Sequence, residues 1–290
     1  MMRTGKGLNW LLFILLAVIW GSSFILMKVG KVYLNGYQIG SIRIASAGLV
    51  FLPFAVMHIG KLPLKKLPLI LLSGLLGNLL PAFLFALAIE HIDSSLEGIL
   101  NSLTPLFVIL ISVLFFNARW QRIKIAGVLI GFVGLLMLSL SSGFSQNDYG
   151  YALLILLATL FYGININLVN YFLKGIEPMK LASVSLSLVS LPAFFVVWQQ
   201  HVFSIAAYDM EARWSIAASI LLGIMGSAVA TGLFYLLIKR AGGLFASLVT
   251  YAIPIVAIFW GLLSGEQISV GQIGCLAIIL SGVYLVNKQA

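Results

Sequence analysis

The fold of this chain is decided by two similar stretches, LSGLLGNLLPAFLFALAI at residues 72–89 and LLGIMGSAVATGLFYLLI at residues 221–238. Neither contains Asp, Glu, Lys or Arg. At a rise of 1.5 Å per residue, each is about long enough to cross a hydrocarbon core of roughly 30 Å. An offset of 149 positions places Gly74 and Gly77 of the first stretch on glycines of the second. The pair therefore predicts transmembrane helices that occupy equivalent positions in an internal repeat.

The composition extends this prediction to all 290 residues. The chain is 61% hydrophobic and only 9% charged, whereas soluble proteins carry about 25% charged residues. A membrane β-barrel would need alternating apolar and polar residues, which do not occur, while a helix satisfies every backbone group within its own segment. The sequence therefore predicts an all-α integral membrane protein with the lipid bilayer as its solvent.

Ten transmembrane helices are predicted from the apolar segments. Their approximate limits are 8–30, 37–57, 67–89, 95–117, 122–141, 149–173, 178–200, 215–238, 243–264 and 269–287. Each half of the chain, 1–143 and 144–290, then holds five spans. Because five is odd, the second half enters the membrane from the opposite side, and the repeat is inverted. Inverted repeats that meet at a binding site are typical of secondary transporters.

The basic residues predict the orientation. Most of the 17 Lys and Arg residues fall on the side of the N-terminus: Arg3, Lys6, Lys61, Lys65, Lys66, Arg119, Arg122, Lys124, Lys174, Lys180, Lys239, Arg240 and Lys288. The opposite side has Lys28, Lys31 and Arg213, so both termini are predicted to be cytoplasmic. No five basic residues stand together, so the net charge of +9 reflects topology and no nucleic-acid partner is predicted.

Two prolines, Pro105 and Pro254, occupy equivalent positions halfway along the fourth and ninth spans. Proline lacks a backbone donor and clashes with the carbonyl four residues earlier, so each is predicted to kink its helix. Polar residues precede both prolines on one helix face: Ser94, Glu97, Asn101 and Thr104 in the fourth span, and Ser247, Thr250 and Tyr251 in the ninth. These stripes are predicted to line a cavity, with hydrogen bonds between helices as the alternative.

More polar and aromatic residues share helix faces at related positions of the repeat. They are Trp20 and Ser23 in the first span, Asn78 in the third, Tyr162 and Asn165 in the sixth, and Ser227, Thr231 and Tyr235 in the eighth. Aromatic rings beside amides suit an organic solute with an apolar body and polar ends. We therefore predict that these residues bind substrate together with Asn101, Thr250 and Tyr251, and core packing is the alternative.

Arg43 lies about six residues, or roughly 9 Å, inside the second span. An unpaired guanidinium at this depth costs on the order of 2–3 kcal/mol, so we expect a compensating group. Glu97 near the outer end of the fourth span is the predicted partner, and both residues are candidate substrate-binding residues. The alternative is that Arg43 reaches the outer headgroups by snorkelling.

Enzyme and cofactor motifs are absent from the sequence. The chain has one cysteine, Cys275, and three histidines, and it has no Walker A, H-E-x-x-H or G-x-S-x-G sequence. No catalytic residue, metal or cofactor is therefore predicted. A membrane-embedded enzyme for lipid-linked substrates is a weaker alternative, because it would need clustered acids or histidines within the spans.

Four segments resemble the EamA-type branch of the drug/metabolite transporter superfamily. They are AVIWGSSFILMKVG in the first span, SIRIASAG around Arg43, SSLEGILNSLTPLF in the fourth span and ASLVTYAIPIVAIFWGLLSGE in the ninth. The resemblance implies a central cavity and, in many members, export of amino acids or related metabolites. The sixth span has FYG where a tryptophan is usual. The first span lacks the glutamate of the small multidrug-resistance relatives, which argues against proton coupling through a carboxylate there.

Together these patterns predict a secondary transporter that moves amino-acid-like or amphipathic organic solutes by alternating access. Export across a bacterial inner membrane is the expected direction. A passive channel is the alternative, and it would differ by giving flux without counterflow. The sequence leaves open whether the protein is a monomer or a homo-oligomer.

Overall fold

The computed structural model describes residues 3–116, 122–141, 148–202, 204–205 and 210–287, and all regular structure in these ranges is helical. The first half contains α1 (Arg3–Gly30), α2 (Gly36–Ile59), α3 (Leu67–Gly74), α4 (Leu80–Ala88), α5 (Ser94–Asn101), α6 (Thr104–Phe116) and α7 (Arg122–Ser141). The second half contains α8 (Asp148–Leu168), α9 (Pro178–Gln199), α10 (Met210–Leu221), α11 (Ala230–Ser247), α12 (Val249–Leu263) and α13 (Val270–Asn287).

Seven helical stretches of the described residues are long and apolar enough to cross a bilayer. Three shorter apolar helices, Ala126–Leu138, Val249–Leu263 and Val270–Gly282, lie where further spans were predicted. Large apolar side chains such as Leu114 and Phe115 point outward and are exposed. Surfaces of this kind are a liability in water but are solvated by lipid. The prediction of an all-helical, multi-pass membrane protein is confirmed.

Wider π-helical turns occur at equivalent positions of the repeat. The first π segment, Leu75–Leu79, joins α3 to α4, and the second π segment, Leu222–Val229, joins α10 to α11. A third, Val169–Leu173, continues α8. Turns of this type are rare and are frequent at functional sites. The two stretches that revealed the repeat therefore also share a departure from α-helical geometry.

Gly242 separates the predicted eighth and ninth spans inside α11. Its φ of 86° and ψ of 160° are non-helical, and this region of backbone space is open essentially to glycine alone. Gly243 starts the next helical stretch, and its backbone N–H donates to Asn170 Oδ1 at 3.3 Å. α11 thus contains the end of the eighth predicted span and the start of the ninth.

The fourth span is interrupted, but not at its proline. The break falls at Ser102 and Leu103, between α5 and α6, and Pro105 is the second residue of α6. The Asn101 carbonyl, four residues before Pro105, accepts a hydrogen bond from Thr104 Oγ1 at 2.8 Å. A side-chain bond of this kind takes the place of a helical one. The break lies in the turn that precedes Pro105, which has no N–H for the Asn101 carbonyl, and the role of Pro105 in the kink stays a prediction.

The ninth span shows the same shift. Its helix is interrupted at Leu248, whereas Pro254 lies inside α12. Thr250 Oγ1 donates to the Ser247 carbonyl at 2.8 Å, and Ser247 Oγ donates to the Leu244 carbonyl at 2.7 Å. These hydroxyls compete for carbonyls that a regular helix would use. The kink at Pro254 itself stays a prediction.

Close contacts between small residues hold the surrounding helices together. A Cβ added at Gly48 of α2 would lie 2.1 Å from the Ser190 Cβ of α9, and one at Gly282 of α13 would lie 2.5 Å from the Gly131 N of α7. Small residues let helix backbones approach in a membrane, where packing replaces the hydrophobic effect. These pairs form a scaffold for the helices that line the centre.

Candidate functional site

A central cavity lies between helices of both halves, and about 70 Å³ of its volume is accessible to the centre of a water-sized sphere. The lining residues are Trp20, Ser23, Phe24, Met27, Arg43, Gly77, Asn78, Phe85, Asn101, Thr104, Tyr162, Asn165, Ile166, Gly226, Thr231, Phe234, Tyr235, Thr250 and Ile253. They come from α1, α2, α4, α5, α6, α8, α11, α12 and the first two π segments.

The structure brings most of the predicted substrate-binding residues to this cavity. Those that line it are Trp20, Ser23, Arg43, Asn78, Asn101, Tyr162, Asn165, Thr231, Tyr235 and Thr250. Glu97, Ser227 and Tyr251 do not line it, although Ser227 contacts a residue that does. Pro105 and Pro254 are not lining residues either. The predicted residues converge in space, while their role in binding stays a prediction.

The sequence interpretation missed the apolar part of the lining. Phe24 and Met27 follow Trp20 and Ser23 by four residues each, so they share one face of α1 and periodicity could have found them. Phe85 and Phe234 coincide at the offset that defines the repeat, which was a usable signal for the aromatic walls. Gly77, Gly226, Ile166 and Ile253 carry no polar or aromatic signal of their own.

Two aromatic pairs form opposite walls. Trp20 packs edge-on against Phe234 with ring centroids 4.9 Å apart, and Tyr162 stacks on Phe85 at 6.1 Å. Each pair joins a helix of one half to a helix of the other. Because Phe85 and Phe234 are equivalent in the repeat, the two walls are related in the same way. Aromatic faces of this kind suit a flat or apolar ligand body.

Glycines of the π segments let the walls approach. A Cβ at Gly77 would lie 2.2 Å from Asn165 Nδ2, and one at Gly226 would lie 2.8 Å from Ser23 Oγ. The Gly226 carbonyl accepts a hydrogen bond from Trp20 Nε1 at 2.9 Å, which satisfies a backbone group next to the cavity. The Gly-x-x-Gly pattern of the sequence thus serves close contact between α1 or α8 and a π segment.

A buried polar cluster joins the third, sixth and eighth predicted spans. Ser73 Oγ donates to Asn165 Oδ1 at 2.7 Å and lies 3.0 Å from the Tyr235 hydroxyl. Thr231 Oγ1 donates to Asn78 Oδ1 at 2.8 Å, but Asn78 Nδ2 is buried without a partner. An unused amide donor at a cavity wall is available to a ligand, because leaving it unsatisfied costs about 1–3 kcal/mol.

Arg43 does not have the predicted partner. It is 7% exposed, so it does not snorkel to the surface, and its Nε donates to Ser227 Oγ at 2.9 Å. Two ion pairs among the described residues are Lys28–Glu266 and Lys180–Glu177, and neither includes Arg43. A Cβ at Gly223 would lie 2.3 Å from the Arg43 carbonyl. This close approach of α2 to the second π segment directs the guanidinium to Ser227 instead of Glu97.

Glu97 is sealed inside the protein. Its relative exposure is 0%, and neither carboxyl oxygen has a hydrogen-bond partner. The carboxyl lies on α5, one turn before the cavity residue Asn101. The sequence predicted an ion pair with Arg43, but Glu97 makes no hydrogen bond, and Lys31, Arg43 and Glu266 act on its carboxyl group only through electrostatics.

A polar network around Glu266 joins residues near the ends of α1 and α5. Its carboxylate accepts from Lys28 Nζ at 2.9 Å, from Ser94 Oγ at 2.6 Å and from the backbone N–H of Ser95 at 3.1 Å. Burial acts to raise the pKa of Glu266, but the hydrogen bonds from Ser94, Ser95 and Lys28 outweigh it and lower that pKa to about 2. Glu266 therefore stays ionised at neutral pH and ties α1, α5 and the residues after α12 together.

Comparison with known proteins places this geometry in a family. The model of the EamA-like transporter family matches residues 8–140 and again residues 150–288. A protein of Archaeoglobus fulgidus named uncharacterized transporter is 26% identical over 283 residues, which cover 97% of this chain and 99% of that protein. The uncharacterized inner membrane transporter YedA of Escherichia coli (strain K12) is 27% identical over 286 residues, which cover 94% of this chain and 88% of that protein.

A solved crystal structure shares the fold. It has a TM-score of 0.62 and 15% sequence identity, with 96% of both chains covered. The family match extends over nearly the whole chain, and it agrees with the resemblance seen in the first, second, fourth and ninth predicted spans. The chain therefore belongs to the EamA-like transporter family.

Proposed function

We propose that this protein is a secondary transporter that moves small organic solutes, amino-acid-like or amphipathic, by alternating access. Export from the cytoplasm is the proposed direction. The observation that carries the proposal is the central cavity, where aromatic walls from both halves surround a buried guanidinium and a free amide donor. The relatives from Archaeoglobus fulgidus and Escherichia coli are both named transporters, which supports the same class of function.

The proposed topology has ten membrane helices in two inverted halves, 1–143 and 144–290, with both termini in the cytoplasm. Two separate family matches, one to each half, support it. The helix ends support it too: α7 begins and ends at the predicted limits of the fifth span, and α9 lies within one residue of the seventh. An inner-membrane location is proposed by similarity to YedA.

Topology is tested by single-cysteine labelling on a Cys275→Ala background. Cysteines at positions 65 and 174 should react only from the cytoplasmic side. Cysteines at positions 93 and 266 should react only from the outside. Labelling of both sets from one side would contradict the inverted ten-span arrangement.

The polar groups of the cavity favour a solute with an acidic end. Arg43 uses Nε to bind Ser227, and the remaining N–H groups of a guanidinium can bind a carboxylate with two parallel hydrogen bonds. Asn78 Nδ2 adds a neutral donor. The aromatic pairs then hold the apolar body of the solute. Inverted repeats with the site at their interface provide alternating access in other transporter folds.

Counterflow in proteoliposomes tests this function. Vesicles loaded with one unlabelled solute from a panel of amino acids, hydroxy acids and their amides should accelerate uptake of the same labelled solute. Arg43→Gln should abolish this acceleration for the acids, and the matched control Arg213→Gln, at an exposed position, should not. Flux without counterflow would identify a channel, and no flux for any solute would contradict the proposal.

A further inference from the structure

Glu97 is a buried acid whose carboxyl group makes no hydrogen bond. It is fully buried, and both carboxyl oxygens lack hydrogen-bond partners. Transfer of an ionised carboxylate into such a site costs many kcal/mol unless it is paired, so the group is neutralised instead. Burial without a hydrogen-bond partner therefore favours the protonated form of Glu97 in this conformation.

The groups that face Glu97 come from every helix around it. Lys31 follows α1, Arg43 belongs to α2, and Glu266 follows α12; all three act on the Glu97 carboxyl electrostatically. Tyr162 of α8 lies beside Arg43. Lys31 donates to the Ile89 carbonyl at 2.7 Å, and Arg43 donates to Ser227. The two cations are thus near enough to favour a carboxylate but are engaged elsewhere while the acid keeps its proton.

Glu97 lies between the cavity and the network around Glu266, which forms the outer closure in the proposed topology. Asn101, one helical turn toward the centre, lines the cavity. Ser94 and Ser95, less than one turn toward the outside, bind Glu266. Water can therefore reach Glu97 from the outside only when the Glu266 network opens.

Building on the proposed transport function, we propose that Glu97 is the proton-binding site that couples solute movement to protons. When the outer closure opens, the O–H bond of Glu97 breaks, and the proton passes to outer water. The remaining carboxylate attracts the positive charges of Lys31 and Arg43. Arg43 is then less available to bind an anionic solute. Reprotonation releases Arg43 to the solute.

This competition fixes the sense of coupling. An anionic solute and the Glu97 carboxylate both need Arg43, so the solute binds best when Glu97 carries its proton. Proton and solute then cross in the same direction. Export by this route therefore requires an outward solute gradient that exceeds the inward proton gradient.

Infrared difference spectra during hydrogen–deuterium exchange test the protonation directly, without a solute. Wild-type protein in liposomes at pH 7 should show the carbonyl stretch of a protonated carboxylic acid. Glu97→Gln, which is isosteric with the neutral acid, should remove this band, and the exposed control Glu177→Gln should retain it. Should Glu97→Gln fail to fold, Glu97→Asp should shift the band. Wild type without the band, or a band unchanged in every Glu97 variant, overturns the proposal.

Transport driven by a pH gradient tests the coupling. In proteoliposomes, an acidic exterior should drive uphill accumulation of an acid that shows counterflow. Glu97→Gln should keep counterflow but lose this accumulation. Counterflow in wild type without pH-driven accumulation overturns the coupling and leaves transport intact. Absence of counterflow for every solute overturns the transport function, and coupling with it.

Discussion

The two halves of the chain build the same shape but carry different chemistry. Helix α2 of the first half holds Arg43, whereas α9 of the second half, which packs against it, has no charged residue after Lys180. Helix α5 holds Glu97, and the equivalent position of the second half is Ala246. Arg43 and Glu97 thus both belong to the first half. The repeat supplies the cavity, and one copy supplies the electrostatics.

The shared part of the two halves is steric. Phe85 and Phe234 hold equivalent places in the aromatic walls, and Gly77 and Gly226 hold equivalent places in the π segments. Apolar packing can be repeated in both halves at little cost in free energy. A second buried charge would need its own partner, because an isolated one is costly in lipid. The two halves therefore share their steric features and differ in their ionisable residues.

The largest expected effect is at the charge that breaks the symmetry. Arg43→Gln should weaken binding of an acidic solute by about 2–5 kcal/mol, or roughly 30-fold or more, because the partner carboxylate is left buried and unpaired. Arg43→Lys should rescue poorly, since lysine lacks the planar fork. Equilibrium binding of an acid and its amide to each variant measures this. Discrimination between acid and amide that survives in Arg43→Gln would remove Arg43 from recognition.

Substitution of either equivalent glycine, Gly77 or Gly226, should destabilise the protein, but by different amounts. Gly77→Ala should lower the free energy of unfolding by about 1–3 kcal/mol, since its Cβ would overlap the Asn165 amide, which is held by Ser73. Gly226→Ala should cost less, because its contact with Ser23 Oγ is longer. Thermal unfolding in detergent compares them.

Gly150→Ala is the control for the glycine pair. No atom lies within 4 Å of a Cβ at this position of α8, so the substitution should be neutral or stabilising by up to about 1 kcal/mol through helix propensity. Equal behaviour of all three variants would show that the π segments do not need close approach.

The aromatic residues Trp20 and Tyr162 should separate structure from recognition. Trp20→Phe loses the hydrogen bond to the Gly226 carbonyl and should destabilise the fold by about 0.5–1.5 kcal/mol. Tyr162→Phe keeps the stack on Phe85 but removes the hydroxyl that interacts with Arg43, so it should alter acid binding more than stability. Paired unfolding and binding measurements decide this, and the reverse order of effects would contradict it.

The smallest effect should come from the closure between the halves. Glu266 of the second half binds Lys28, Ser94 and Ser95 of the first, and its pKa is lowered to about 2. A carboxyl group with a lowered pKa stabilises the fold at pH values above its ordinary pKa of about 4.3. This stabilisation is lost as the pH falls through about 2. Glu266→Gln should therefore reduce the thermal midpoint modestly at pH 7, and the difference from wild type should shrink toward pH 2. The exposed Glu177→Gln serves as control, and a pH-independent difference would contradict the assignment.

The sequence alone determined the helices and the repeat. Apolar length fixes membrane spans because lipid cannot satisfy backbone groups, so α7 and α9 follow the predicted limits closely. Periodicity also placed Trp20, Asn101 and Asn165 on faces that meet at the cavity. These features depend on local spacing along one helix, which a sequence records directly.

Only the tertiary structure decided who contacts whom. Arg43 binds Ser227 and not Glu97, because Gly223 brings the second π segment against α2 and points the guanidinium toward it. This outcome depends on distances and directions between groups on different helices that compete for one partner. Spacing along the chain predicts possible hydrogen-bond and ion-pair partners, and the packing of helices decides which of them are in contact.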